Sequence, residues 1–225
     1  MRPSGVIKTV CCLLASSLAA QTPEIRLDQS RLCVTEGAIK TDRGRRLSVK
    51  ASRLRAVASI PTAHAVEIRF TYHGASAQRS SLSSGQIREQ LGLKLRAADG
   101  CNVVYAMWRI APRNELVVSV KHNPALHQSV ECGNRGYMNI KPRQAGAIPV
   151  LRPGQAHSLR AEIHGQEMQV FIDGRKCWAG NLGPESVAFD GPVGMRTDNV
   201  DLDFELFAAA PEPGTRMALP ACADS

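Results

Sequence analysis

Three carboxylates recur at alternate positions in the stretch DLDFE: Asp201, Asp203 and Glu205. On an extended strand side chains alternate, so all three project from one face, while Val200, Leu202, Phe204 and Leu206 fill the other. Retaining glycoside hydrolysis needs two carboxyl groups about 5 Å apart, one of them held protonated. The solvated face of a strand carries the same pattern without any chemistry, so no catalytic residue is assigned on spacing alone. SSLSSG (80–85) lacks the sharp strand-to-helix turn that exposes a hydrolase serine, and reads as a flexible loop.

A second set of residues is cationic. In AVEIRFTYH (65–73), Val66, Ile68, Phe70 and Tyr72 share one face; Arg69 and His73 lie on the other. In IREQLGLKLRA (87–97), Leu91, Leu93 and Leu95 oppose Gln90, Lys94 and Arg96. In NVVYAMWRI (102–110), Val104, Ala106, Trp108 and Ile110 oppose Tyr105, Met107 and Arg109, and in ELVVSVKH (115–122) Leu116, Val118 and Val120 oppose Ser119 and Lys121. If these strands lie side by side, they present a basic polar face of Arg69, Lys94, Arg96, Arg109 and Lys121 with Tyr105 among them. Asn123, Asn134 and Tyr137, from the following loop, would stand at its rim. Such a face suits an acidic polysaccharide, held by contacts that weaken with salt. The same residue types, with His73 or His122, could serve elimination from a uronate, which needs donors where charge develops and a tyrosine near the abstracted proton; their spacing reproduces no lyase motif. The wet side of an antiparallel sheet is the plain alternative.

The elements that must position these groups are strands. Short apolar-alternating runs separated by Gly, Pro, Asn and Asp predict strands over 45–58, 65–73, 87–97, 102–110, 115–122, 157–164, 167–173, 176–180, 187–196 and 200–207. No amphipathic helix longer than two turns intervenes, which predicts an all-β antiparallel sandwich. Residues 123–155 form one long connection, the kind that is functional or tied by a disulfide. The expected organisation is a signal peptide at 1–20, a leader segment at 21–30, a single β-sandwich domain at 31–208 and a disordered Ala/Pro-rich tail at 209–225.

The signal reading rests on Arg2 and Lys8 ahead of an apolar run, with the small residues Ser17 and Ala19 before a cleavage point; it is too short to anchor in a bilayer. Export implies a secreted or periplasmic protein in which cysteines pair. Five remain after the signal, Cys33, Cys101, Cys132, Cys177 and Cys222. Cys101 and Cys132 bracket the most polar stretch and form the first candidate pair. No C-x-x-C or close His/Cys spacing points to zinc. The formal charge is +8, and losing Arg2 and Lys8 leaves 26 basic against 20 acidic residues. The densest basic run, RGRRLSVKASRLR (43–55), alternates as a strand would and lacks the interleaved aromatics of a nucleic-acid surface. The partner expected is therefore a glycan or cell-envelope polymer, with no nucleic acid and no membrane span, and no oligomeric state is implied.

The last third carries a resemblance. The strand HSLRAEIHG, the hairpin VFIDGRK, the segment GPVGMRTDN and the final strand VDLDFELF resemble the closing strands of concanavalin A-like lectin/glucanase sandwiches, laminin G-like members in particular. The resemblance is good over about residues 155–207 and holds only in rhythm over 65–122. It implies a jelly-roll sandwich and a glycan-binding or adhesion module. A lyase or glucanase-like hydrolase is the alternative, since the fold alone does not choose among these. Glucanases of this fold carry an i, i+2, i+4 carboxylate strand, but there it lies well before the end and begins with Glu where this chain has Asp201. No cofactor is implied. Calcium, frequent in the superfamily, would need clustered oxygens, and AADGCN (97–102) and TDNVD (197–201), its two candidate stretches, read more simply as turns. In the hairpin, Asp173-Gly174 supplies a two-residue turn. That register sets Val170 opposite Cys177 and Gln169 opposite Trp178, turning Phe171 and Trp178 outward; a one-residue change would bury Trp178. With aromatics at 4% of residues, packing is favoured over a sugar platform for this tryptophan.

Overall fold

The computed structural model describes residues 24–41, 46–219 and 222; the expected signal peptide lies outside them. In chain order the strands are β1 (Glu24–Arg26), β2 (Leu32–Glu36), β3 (Lys40–Thr41), β4 (Leu47–Val49), β5 (Arg53–Ala58), β6 (Ala65–Ala75), β7 (Glu89–Leu95), β8 (Val103–Ala111), β9 (Glu115–Lys121), β10 (Tyr137–Ile140), β11 (Gln144–Ala145), β12 (Ala156–His164), β13 (Glu167–Ile172), β14 (Arg175–Asn181), β15 (Gly194–Asp198) and β16 (Val200–Ala209). They pair antiparallel into two sheets. One runs β11-β14-β13-β12-β6-β16-β4-β3, with β1 also on β16; the other runs β10-β9-β8-β7-β15-β5-β2.

Alternation places the core between the sheets. From the nine-stranded sheet come Val66, Ile68, Phe70, Leu159, Ala161, Met168, Val170, Leu202, Phe204 and Leu206; from the other come Leu54, Leu91, Leu93, Leu95, Val104, Trp108 and Val118. Each fully buried leucine, valine or phenylalanine contributes roughly 1.5–3 kcal/mol by leaving water. Trp108 sits at the centre, edge-on to Phe70 with ring centroids 6.0 Å apart, and its indole nitrogen donates to Asn114 at 3.0 Å.

Several boundaries differ from the sequence expectation. The run 45–58 is two strands in different sheets, because residues 50–52 let the chain cross from β4 to β5. Residues 187–196 yield a strand only from Gly194, after a 3-10 turn at Pro184–Val187. The connection 123–155 is not a single loop. It holds a one-turn helix, α1 (Ser129–Cys132), and then β10 and β11, which extend an edge of each sheet in turn. The leader contributes β1. Cys101 is bonded to Cys132, and Cys222 to Cys33, so the tail expected to be disordered is tied at Cys222 to β2; Cys177 is buried and in no disulfide.

The β13–β14 hairpin turns on Asp173 and Gly174, whose φ values are 50° and 74°, as a two-residue primed turn requires. Its register slips at Val170/Phe171, pairing Val170 with Trp178 rather than with Cys177. The bulge lets Cys177 and Trp178 both turn inward, and Trp178 is 2% exposed: it is core, and the outward placement expected from an unbroken register is corrected.

Candidate functional site

The outer face of the seven-stranded sheet departs from the usual wet side. Residues 90–95 of β7 and 103–108 of β8 are buried on both faces. Registers place the outward residues in rows across the strands. One row is Asn139, Ser119, Tyr105, Lys94, Gly194, Val57 and Cys33; the next is Val117, Met107, Gly92, Arg196 and Arg55; the next is Glu115, Arg109, Gln90, Asp198 and Arg53. Tyr105, Met107, Val103, Val57, Ala97 and Cys33 form a second apolar cluster here, with Tyr137 packed against it. Gly92 and Gly194 break the rows because a Cβ at either would run into the carbonyl of a neighbouring strand, Ala106 in one case and Ala56 in the other. The absent side chain at Gly92 leaves room for the Met107 sulfur, which a Cβ there would meet.

Asp198 is the electrostatic hub. Fully buried, its carboxylate accepts from Arg55 at 2.6 Å, Gln90 at 2.7 Å and Arg196 at 2.9 Å. Burial opposes its charge, but Arg196 and Arg55 outweigh that and hold its pKa below the ordinary carboxylate value. Burial likewise opposes the Arg196 charge, and Asp198 overrides it, raising the pKa. Arg196 then lies over the Tyr105 ring, 5.4 Å from its centroid, and donates to the Tyr137 hydroxyl at 3.3 Å. The Tyr105 and Tyr137 rings stack at 6.0 Å. Desolvation pushes the Tyr105 pKa up, so its hydroxyl keeps its proton.

Lys94 lies directly opposite Tyr105 on the neighbouring strand. It is 7% exposed, and among the described residues its ammonium has no hydrogen-bond acceptor and no ion pair. Desolvation first, then the charges of Arg55 and Arg196, bring its pKa down to about 7. Lys121, two residues beyond Ser119 on the side away from Arg196, is different: its ammonium donates to the Gly100 and Gly133 carbonyls at 3.0 Å each, and desolvation lowers its pKa to about 8. Arg55, Lys94, Lys121 and Arg196, with Arg53 and Arg109 in the Asp198 row, thus share this face with the carboxylates of Asp198, Glu115 and Glu36, the last at the edge 3.8 Å from Arg55. The face can accept an anion, with two tyrosine rings beside it.

Of the residues singled out from the sequence, Lys94, Tyr105, Arg109, Lys121 and Tyr137 come together on this one face. Arg69 does not. It is on β6 in the other sheet, bonded to Glu67 at 2.8 Å and Glu24 at 3.3 Å and stacked 4.3 Å over Phe207. Arg96 follows β7 in a left-handed conformation, φ 48°, which swings it away; it donates to the Ser186 and Gly165 carbonyls at 2.7 and 2.8 Å, tying the two sheets together. Asn123 serves the loop, donating to Asn102, Cys101 and Arg135. Assigning all the cations to one face overlooked that strands of like alternation can belong to different sheets. Arg55, Arg196 and Asp198, which share this face, were not picked out from the sequence, and Gln90 was placed on the polar side of its strand but not among the candidates. The signal was present in MRTD (195–198) and RLRAVA (53–58), where alternation puts Arg196 with Asp198 and Arg53 with Arg55.

The other candidates resolve into local structure. Asp203 lies 2.9 Å from His73, and Glu205 pairs with Arg26 at 2.9 Å, so two of the three DLDFE carboxylates are engaged. Asp99 accepts from the Cys101 and Asn102 amides and lies 2.7 Å from His127, which makes AADGCN a closed turn. No group of three metal-ligating side chains occurs among the described residues.

No family model and no curated protein matches the chain. Among solved structures, the carbohydrate-binding module CBM66 of Bacillus subtilis superposes with a TM-score of 0.53 at 13% identity, covering 77% of this chain and 91% of that one. Domain 4 of a GH43 extracellular arabinanase from Geobacillus stearothermophilus, in complex with arabinotriose, gives 0.45 at 11% identity over 85% and 94% of the two chains. Galectin LEC-6 of Caenorhabditis elegans gives 0.40 at 7% identity over 77% and 96%. At such identity the first of these shows the fold alone: an antiparallel β-sandwich of the kind found in a carbohydrate-binding module.

Proposed function

We propose that this chain is an exported glycan-binding module that takes acidic polysaccharide on the outer face of the seven-stranded sheet. The observation that carries it is Lys94, a desolvated ammonium without an acceptor, set among Arg55, Arg196 and Lys121 and beside the Tyr105–Tyr137 pair. The nitrogen keeps some access to solvent, so an anion can reach it, and a largely desolvated ammonium with no protein acceptor gains strongly from an anionic partner. A uronate carboxylate would supply a charge-assisted hydrogen bond, and Tyr137, partly exposed over the buried Tyr105, offers an apolar surface to the sugar. The fold shared with a carbohydrate-binding module supports this reading, as does the resemblance of the closing strands to laminin G-like sandwiches. The two disulfides support an oxidising, extracellular setting.

Calorimetric titration with galacturonate and mannuronate oligomers tests it. Binding should weaken as salt rises and be lost in Lys94→Met, while neutral gluco-oligosaccharides bind poorly. Equal binding of neutral chains, or binding indifferent to Lys94, would overturn the acidic-glycan site at Lys94, and no binding of any oligomer would leave a structural or adhesive role.

A second reading rests on the same lysine. An amine with a pKa of about 7 is partly neutral at neutral pH, and the opposite tyrosine is protonated. Lys94 would take the proton α to a uronate carboxylate as the bond to the leaving oxygen breaks, a carbon–carbon double bond forms, and Tyr105 protonates that oxygen. Ultraviolet absorbance from an unsaturated uronate, abolished in Tyr105→Phe, would establish this lyase; its absence over a long incubation leaves binding alone.

A further inference from the structure

Where β7 begins, β8 ends and β9 starts, the same face opens into a cavity of about 420 Å³ lined by Gln86, Ile87, Arg88, Arg109, Pro112, Arg113 and Glu115. Arg109 is bonded to Glu115 at 2.7 Å through one terminal nitrogen, but its buried Nε has no partner, and neither has the side-chain oxygen of Gln90 beside it. Arg88 bonds Gln86 through its guanidinium and has no carboxylate partner among the described residues. Desolvation, then the charge of Arg109, disfavours its charged form. Arg113 is exposed and unpaired among the described residues. Three guanidiniums therefore face a single carboxylate, Glu115. Ile87, 53% exposed, and Pro112 add apolar surface.

This cavity and Lys94 lie at different heights on the same strands. Lys94 lies in the row of Ser119 and Arg109 in the row of Glu115, four residues further along β9, or about 13 Å at roughly 3.3 Å per residue. That is the length of a few sugar units, with Arg196 between the ends.

We propose that the cavity at Arg88, Arg109 and Arg113 is a second carboxylate-binding subsite, reached only by an acidic glycan long enough to extend along the strands from Lys94. This rests on the reading of Lys94 given above and adds its polarity and length requirement. Arg109 and Arg88 would hold one carboxylate, Arg113 would close over it, and Ile87 and Pro112 would meet the ring.

The test is a calorimetric length series of galacturonate and mannuronate oligomers, from disaccharide to hexasaccharide, on the full chain with both disulfides oxidised. The hexasaccharide should bind about tenfold or more tightly than the disaccharide. The double substitution Arg88→Gln with Arg113→Ala should remove most of that gain while leaving disaccharide binding unchanged. Whatever gain survives in the double variant measures only the extra registers a longer chain offers to one subsite. Affinity independent of length, or a gain untouched by the double substitution, overturns the second subsite while leaving Lys94 standing. If no oligomer of any length binds, the reading at Lys94 fails, and the second subsite with it.

Discussion

Replacing Lys94 by methionine should make the protein more stable and unable to bind. The side chain is 7% exposed and its pKa is brought from the ordinary 10.5 to about 7. At about 1.4 kcal/mol for each tenfold change in proton affinity, that fall corresponds to roughly 5 kcal/mol of folding free energy withheld while the amine is charged. The sign follows from proton counting. Below about pH 7 the lysine is protonated in both folded and unfolded chains, and the native state bears the whole penalty. Between about 7 and 10.5 the unfolded chain holds more protons, so stability rises with pH; above that the penalty is gone. Methionine fills a similar volume without a charge. Urea unfolding at pH 6 should therefore show Lys94→Met more stable by several kcal/mol, with the advantage shrinking towards pH 10 and no change in the urea dependence. A variant less stable than the parent at pH 6, or an advantage that does not change with pH, would refute the reasoning, because the ammonium would then have a partner.

Asp198→Asn removes the shared acceptor of Arg55, Arg196 and Gln90 and should destabilise by about 3–5 kcal/mol near neutral pH. Because the pKa of Asp198 is depressed, its contribution is present above the ordinary value of 3.8 and lost as pH falls below it, so parent and variant should converge in acid. Arg96→Met deletes two charge-assisted hydrogen bonds between the sheets and should cost about 2–4 kcal/mol without altering glycan titrations. Gly92→Ala drives a methyl into the Ala106 carbonyl and the Met107 sulfur, and a loss of about 1–3 kcal/mol should appear in thermal melts. Tyr137→Ala removes one ring of the stacked pair from an edge strand; it should weaken oligosaccharide binding about tenfold and change the melting temperature little.

The sandwich itself was legible because period-two alternation depends on local sequence. Val66, Ile68, Phe70 and Tyr72, or Val200, Leu202, Phe204 and Leu206, identify a core face whatever lies beyond it. Which sheet each strand joins is a different matter. Arg69 and Arg109 sit on strands of similar pattern, and nothing local separates β6 from β8; the partition arises from pairing between residues far apart in the chain. The break inside 45–58 has no strong punctuation, since Lys50 to Ser52 could equally continue a strand. The strands β10 and β11 were hidden in a polar connection because edge strands need little apolar character.

By itself, the sequence determined that this chain alternates into antiparallel strands with one apolar face each, that it carries an excess of basic residues, and that its hairpin turns at Asp173-Gly174. Tertiary structure alone decided that Lys94 is buried without a partner, that Asp198 gathers Arg55, Arg196 and Gln90, that Arg69 and Arg96 serve elsewhere, and that a bulge buries Trp178. The physical reason is that alternation is a property of one strand, whereas desolvation and charge pairing depend on which strands become neighbours.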